Sequence, residues 1–240
     1  VGVGVVRAGE AFVSLGTSGV LFAANDGYRP APETAVHTFC HALPDTWHQM
    51  GVILAATDAL NWFAGLAGAE AAALTAGLGP LQPPGRTVFL PYLGGERTPL
   101  NSARVRGAFA GLEHATDRAA ATRAVLEGVT FALRDCRDAL AATGTRIDRL
   151  IAVGGGSRSD YWLQLLATAL DCPVQRPVAG DFGAAFGAAR LALMAVTGAG
   201  AEVATPPPVA RSFDPDRGLT AAFDAGHARF RAAQAALKDL

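Results

Sequence analysis

The sequence predicts an α/β domain built on one mixed β-sheet that is covered by helices on both faces. Two observations lead to this fold class. The first third of the chain reads as antiparallel hairpins, in which short apolar runs are separated by Gly-bounded turns. From Leu150 onward the pattern changes to strand, glycine turn and helix, which is the order of a parallel β-α-β unit. A sheet that contains both kinds of pairing is mixed.

The composition argues against several classes of protein. Half of the 240 residues are hydrophobic, which is enough for one sizeable core, and the net charge is −1. No run of Lys and Arg exceeds two residues, so nucleic acid is not an expected partner. The longest apolar stretch, at 191–196, is far shorter than the roughly 20 residues of a membrane span. Cys40, Cys136 and Cys172 form no metal or disulfide spacing, which favours a cytoplasmic protein.

The antiparallel part is predicted as two hairpins that are followed by a helix. The predicted elements are strands at 11–15, 20–23, 36–42 and 47–50 and a helix at 52–66. The helix is indicated by apolar residues that recur on one face.

The remaining elements follow a proline-rich linker at 80–85. They are strands at 87–93 and 107–112, a helix at 117–142, a strand at 150–153, a helix that ends at 170, a strand from 174, and helices at 182–196 and 219–240. Thr116 is predicted to cap the long helix, and Ser157 or Ser159 the next one. Pro206, Pro207 and Pro208 divide a domain at 1–200 from an extension at 201–240 that carries a covering helix.

The first candidate site is the hairpin turn Gly16-Thr17-Ser18. Glycine lets a backbone approach a ligand closely, and hydroxyls with free N–H groups bind phosphate oxygens. An ordinary hairpin turn uses the same residue types, and the pattern alone does not separate the two interpretations.

The second candidate site is the run Gly154-Gly155-Gly156-Ser157, which lies between an apolar strand and a helix. Open α/β sheets bind nucleotides at such a position, at the carboxyl end of a strand. The run matches neither the dinucleotide-binding fingerprint nor a Walker loop. A tight strand–helix connection is the alternative interpretation.

Other polar residues carry weaker signals. Glu96 and Arg97 suit either a surface ion pair or a loop that faces an interdomain cleft, and their spacing does not decide between these. His37 and His41 share strand parity, which places them on one sheet face, and no nearby ligand completes a metal site. Trp162 is either a core residue or the border of a base pocket.

Together these segments resemble the C-terminal domain of the FGGY carbohydrate kinases. The segments that carry the resemblance are 12–19 (FVSLGTSG), 89–99 (FLPYLGGERTP), 106–112 (RGAFAGL), 123–128 (RAVLEG) and 153–157 (VGGGS). Within that family, residues 40–44 and 47–48 resemble the xylulokinases more than the glycerol or gluconate kinases. The resemblance implies an actin-like ATPase domain of the ribonuclease H-like type, with a mixed five-stranded sheet.

The resemblance also assigns nucleotide-binding roles to two groups of residues. They are Gly16, Thr17 and Ser18 at the β- and γ-phosphates of ATP, and Gly154, Gly155, Gly156, Ser157, Asp160 and Gln164 around the adenosine. The cofactors implied are ATP and the Mg²⁺ that accompanies it, with no metal site formed by the protein alone. The implied reaction transfers a phosphoryl group to D-xylulose or a related ketose or polyol.

The family's catalytic aspartate corresponds to a position upstream of Val1. We therefore expect this polypeptide to lack a catalytic residue, to meet its sugar only through a missing N-terminal domain, and to be inactive alone. Two alternatives stay open, a non-catalytic nucleotide-binding protein and an interaction module. In the interaction module, the amphipathic face near 219–240 supports oligomerisation, and a homodimer is a predicted assembly.

Overall fold

The computed structural model describes residues 1–178 and 183–238. The strands of this part are β1 (Gly9–Leu15), β2 (Gly19–Asn25), β3 (His37–Cys40), β4 (Trp47–Ile53), β5 (Val88–Leu90), β6 (Ala108–Ala110), β7 (Ile147–Val153), β8 (Val174–Pro177) and β9 (Val209–Phe213). The α-helices are α1 (Thr57–Leu66), α2 (Ala71–Ala76), α3 (Arg118–Ala142), α4 (Asp160–Ala169), α5 (Ala184–Thr197) and α6 (Thr220–Leu237).

The main sheet is mixed, as the sequence predicts. Its strand order is β3-β4-β2-β1-β7-β8-β9, and β5 pairs with β6 in a separate two-stranded sheet. Strand β1 is antiparallel to β2 and parallel to β7, so it joins the hairpin half to the β-α-β half. The α/β fold class is confirmed, but the described sheet has seven strands rather than the expected five. The two additional strands lie at the edges of the sheet, where β3 pairs with β4 and β9 pairs with β8.

One face of the sheet carries the main core. Alternate residues of β1, Ala11, Val13 and Leu15, are buried there together with the inner faces of α1, α3 and α4. On the opposite face Phe12 and Phe22 pack with Val3 and Val5 of the N-terminal segment. Helix α5 is held to this segment by Arg190, which donates to the carbonyls of Val1 and Gly2, both at 3.0 Å. That face is therefore covered by the irregular N-terminal segment, to which α5 is attached.

Several element boundaries differ from the predicted ones. The first helix begins at Thr57 rather than 52, because β4 continues through Ile53 to pair with Gly19 at the end of β2. Asp117 caps α3 by accepting the N–H of Ala120 at 2.7 Å. The predicted cap, Thr116, instead accepts the N–H of Glu113 at 3.0 Å.

Residues 201–238 are part of the same fold rather than an extension beside it. Strand β9 is an edge of the main sheet, and Phe223 and Phe230 of α6 lie in the main core with Phe131 of α3. The apolar face of α6 thus packs inside the domain. The sequence had also allowed this face to support oligomerisation. Predicted helix residues 182, 239 and 240 lie outside the described part. No helix in the described ranges is both long and apolar enough to cross a membrane.

Candidate functional site

The two glycine segments meet at one edge of the sheet. Ser14 pairs with Val153 at the carboxyl ends of the parallel strands β1 and β7, so the two turns leave the sheet side by side. Gly154 has a φ of +87°, and a β-carbon on it would lie 2.7 Å from the carbonyl oxygen of Leu15. This close approach is open only to glycine, so Gly154 is required by packing against β1, which both interpretations of the glycine run allow.

The Gly16-Thr17-Ser18 turn is tied to the start of α1. The carbonyl of Gly16 accepts the N–H and the hydroxyl of Thr57, at 2.9 and 2.8 Å. The carbonyl of Thr17 accepts the N–H groups of Ala56 and Asp58, at 2.8 and 3.2 Å. The turn therefore caps the helix N-terminus with its carbonyls. Within the described ranges no partner hydrogen-bonds to the exposed hydroxyl of Thr17.

A cleft of about 640 Å³ opens beside the second glycine turn and the start of α1, and this volume is within the usual size of a small-molecule site. Gly16, Thr17 and Ser18 do not line this cleft. Gly155 and Gly156 form part of one wall, and α1 and α2 form the other. A β-carbon on Gly155 would meet nothing within 4 Å, so this glycine borders open space. A β-carbon on Gly156 would lie 3.0 Å from the ring of Trp162. Trp162 is fully buried and also borders the cleft, and its place beside a base stays a prediction.

Not every predicted nucleotide contact faces the cleft. Gly155, Gly156 and Asp160 line it. Ser157 is buried and donates its hydroxyl to the carbonyl of Gly154 at 2.7 Å. The cap of α4 is Ser159, whose hydroxyl accepts the N–H of Trp162 at 3.2 Å.

Gln164 has another partner in this structure. Its side-chain amide donates to the carbonyl of Asp214 at 2.7 Å, between β9 and α6, and Gln164 does not line the cleft. A nucleotide contact of Gln164 therefore stays a prediction.

The rim of the cleft is charged. Asp160 accepts from Arg176 at 2.5 Å and also from Arg211, and Arg158, which also lines the cleft, is exposed. Among the described residues that line the cleft, Asp160 is the one carboxylate. Both carboxylate oxygens of Asp160 are already paired, Oδ1 with Arg176 and Oδ2 with Arg211.

The far wall of the cleft was not predicted from the sequence. It consists of Thr57 and Asn61 of α1 with Ala72, Thr75 and Ala76 of α2. Only a weak sequence signal for this wall was present. Thr57 and Asn61 are four residues apart and so share a helix face, while small residues at 71–76 leave room beside α2.

Glu96 is buried and is not an exposed ion pair with Arg97. Only 3% of Glu96 is exposed, and its Oε1 accepts the N–H groups of Leu54 and Arg97 at 2.9 and 2.7 Å. Its Oε2 is buried with no hydrogen-bond partner. Burial raises the pKa of Glu96 to about 7, although the two N–H donors oppose this shift.

The histidines lie where strand parity places them. His48 stacks on Phe22 at 4.6 Å, and His41 meets the edge of the same ring at 6.2 Å. His37 contacts Phe39, which in turn contacts His48, so the three histidines share one face. Burial lowers the pKa of His41 to about 4, which keeps this ring neutral.

In the described part of the chain, three side chains have the spacing of metal ligands, namely Asp135, Asp138 and His227. They already interact with one another or with Arg231. His227 lies 2.8 Å from Asp135, and the guanidinium of Arg231 lies 2.7 Å from Asp135 and 2.9 Å from Asp138. A guanidinium occupies the place of a cation, so the group fits a structural ion-pair cluster.

Comparison with known proteins agrees with this geometry. The profile described as "FGGY family of carbohydrate kinases, C-terminal domain" matches residues 11–196. The chain belongs to the FGGY family of carbohydrate kinases. The resemblance predicted from the sequence motifs is thus confirmed. The described fold then corresponds to the actin-like domain of this family.

The relatives of this FGGY domain include xylulose kinases. The xylulose kinase of Escherichia coli K12 is 43% identical over 235 residues, which are 96% of this chain and 49% of the relative. That of Klebsiella pneumoniae is 45% identical over 198 residues, 82% of this chain and 41% of the relative. The chain therefore spans about half the length of these relatives.

Solved structures give the same picture. A crystal structure of a "xyloylose kinase" from Brucella ovis has a TM-score of 0.96 and 58% identity, over 99% of this chain and 50% of that one. The xylulose kinase of Rhodospirillum rubrum has a TM-score of 0.88 and 28% identity, over 99% of this chain and 49% of that one. In both comparisons, close to the whole of this chain corresponds to about half of a kinase.

Proposed function

We propose that this FGGY domain is the ATP-binding half of a kinase that phosphorylates D-xylulose, or a related ketose or polyol, to its 5-phosphate. The observation that carries the proposal is the meeting of two glycine turns at the carboxyl ends of β1 and β7, beside a cleft of about 640 Å³. Backbone there approaches a ligand without side chains in between, as phosphate-binding turns require.

The proposed contacts fall into two groups. Gly16, Thr17 and Ser18 are proposed to bind the phosphates, because the exposed hydroxyl of Thr17 lies on a turn that α1 holds in place. Gly155 and Gly156 are proposed to lie against the adenosine, where Gly155 borders open space. When bound, Mg-ATP supplies the phosphoryl group, and the metal comes with the nucleotide.

The carboxylate that accepts the sugar's proton is proposed to lie outside these 240 residues. Phosphoryl transfer needs positioning, charge neutralisation and a group that accepts the hydroxyl proton. Asp160 is committed to Arg176 and Arg211, and the relatives are about twice as long as this chain. The sugar site is proposed to lie mostly in that further half.

A thermal-shift titration with Mg-ADP and Mg-ATP tests nucleotide binding, with Gly155→Val as the blocked variant. A ligand that binds only the folded state raises the melting temperature as its concentration increases. We expect a saturable rise that Gly155→Val abolishes, because a branched side chain at Gly155 projects into the cleft. Equal rises in both proteins, or no rise at millimolar nucleotide with the full-length protein, would contradict the proposed site.

A coupled assay of ADP release tests the sugar. The full-length protein is expected to turn over with D-xylulose far faster than with glycerol or gluconate, and the 240-residue chain alone is expected to be inactive. Sugar-dependent ADP release by this chain alone would overturn the proposed division of the active site. The cytoplasmic location and the homodimer stay predictions.

A further inference from the structure

The loop between β5 and β6 is hydrogen-bonded to the junction between β4 and α1, which is residues 54–56. The carboxylate of Glu96 supplies the acceptor for the N–H of Leu54, the first residue after β4, at 2.9 Å. The loop is itself held in register, because Glu96 and Ser102 exchange two backbone hydrogen bonds of 2.8 Å. Thr98 adds a bond from its N–H to the carbonyl of Val52 at 2.9 Å.

The same junction holds the Gly16-Thr17-Ser18 turn. Two residues after Leu54, the N–H of Ala56 donates to the carbonyl of Thr17, and Thr57 donates to that of Gly16. Ala55 and Ala56 are buried, so the short link between Leu54 and these donors is packed on all sides. A shift of Leu54 is therefore transmitted to the turn over only two residues.

The burial of Glu96 needs an explanation beyond packing. A carboxylate with one oxygen that lacks any partner destabilises the fold compared with an apolar residue of similar size. One oxygen of Glu96 nevertheless accepts two N–H groups, which fixes Leu54 relative to the loop that carries Arg97. Glu96 therefore lowers the stability of the fold and, in return, fixes the position of the junction.

We propose that Glu96 is a positioning residue for the ATP phosphates, which acts through Leu54, Ala56 and Thr57 on the turn that carries Thr17. This inference rests on the proposed nucleotide site and adds a residue that does not line the cleft. The role concerns the phosphate end of the nucleotide alone, because no described contact joins Glu96 to the Gly154–Ser157 loop.

The test compares the affinities of ATP and adenosine in the full-length protein and its Glu96→Ala variant. Loss of the acceptor that holds Leu54 is expected to weaken ATP binding about tenfold and to leave adenosine binding unchanged. Amide hydrogen exchange is expected to accelerate at 54–58 and 16–18. Glu96→Gln keeps an oxygen acceptor for both N–H groups and is expected to restore ATP affinity to within threefold.

Each alternative outcome has a distinct meaning. If the unaltered protein binds neither ligand, the proposed function fails. If it binds ATP and Glu96→Ala binds ATP equally well, or loses ATP and adenosine in the same proportion, the positioning role fails. Should Glu96→Ala not fold, Glu96→Asp takes its place, since it withdraws the carboxylate by one methylene and is expected to show the same selective loss. Phe223→Leu, a core change in α6, serves as the control for destabilisation and is expected to leave the ATP-to-adenosine ratio unaltered.

Discussion

Gly154 lies directly against the main-chain carbonyl of Leu15, so closely that a β-carbon on Gly154 would be 2.7 Å from that oxygen. The two residues are at the ends of neighbouring parallel strands, and each is followed by one of the glycine turns. The contact therefore sets the distance between the turn proposed for the phosphates and the loop proposed for adenosine. Gly154 shapes the site without lining it.

Replacing Gly154 with Ala is expected to destabilise the fold by about 2 to 3 kcal/mol, because it combines a left-handed φ with a clash against Leu15. The matched change Gly155→Ala meets no atom within 4 Å, and is expected to alter stability by less than about 0.5 kcal/mol while it weakens ADP binding. Urea unfolding and ADP titration of both variants check this. Equal stability losses at the two positions would contradict it.

Glu127 is expected to make stability depend on pH. Burial raises the pKa of Glu127 to about 8, with Arg123 and Arg229 opposing the shift. The folded state therefore holds a proton that the unfolded state has lost between about pH 4.5 and 8, so stability falls as pH rises through that window, by roughly 1 kcal/mol per pH unit.

Urea unfolding at pH 5, 6.5 and 8 measures the slope of the free energy of unfolding against pH. Glu127→Gln is expected to remove the contribution of Glu127, because the amide does not ionise, and to leave the contribution of Glu96 below about pH 7. The exposed Glu33→Gln serves as the matched control and is expected to retain the slope of the unaltered protein. A Glu127→Gln variant with an unchanged slope would show that the carboxyl of Glu127 is not its source.

Removing the Phe230 ring from α6 is expected to cost about 3 to 5 kcal/mol, because this side chain is fully buried against Phe131 and Tyr92. Leu112→Ser changes a side chain that is 63% exposed, and is expected to have an effect below about 0.5 kcal/mol. Thermal or urea unfolding compares the two. A small effect of Phe230→Ala would mean that residues 201–238 are an appendage and not part of the core.

Ser159→Ala is expected to lower stability by about 1 kcal/mol through loss of the α4 cap. Ser212→Ala, in the exposed edge strand β9, provides a control that removes a hydroxyl without removing a cap. Urea unfolding of both variants tests the expectation. The prediction would be wrong if the two changes had the same effect.

The sequence by itself determined the elements whose signals are local. Hairpins at the start, strand–glycine–helix units later and the two glycine turns all depend on residues within one or two turns of each other. These signals were sufficient for the α/β class, the mixed sheet and the family. Boundaries failed where a distant strand decided them, as when pairing with Gly19 extended β4 through Ile53.

Only the tertiary structure decided which residues face one another across the chain. Thr57 and Asn61 became a cleft wall because α1 packs opposite Gly155, about 95 positions further along the sequence. The sequence allowed Glu96 and Arg97 to be either a surface ion pair or part of a loop that faces a cleft, whereas in the structure Glu96 is buried and its carboxylate accepts the N–H of Leu54. The sequence predicts that the domain ends at Pro206, Pro207 and Pro208, whereas in the structure β9 pairs with the edge of β8, and α6 covers Phe131 of α3. Burial and partners of this kind depend on the packing of distant segments, which no local pattern encodes.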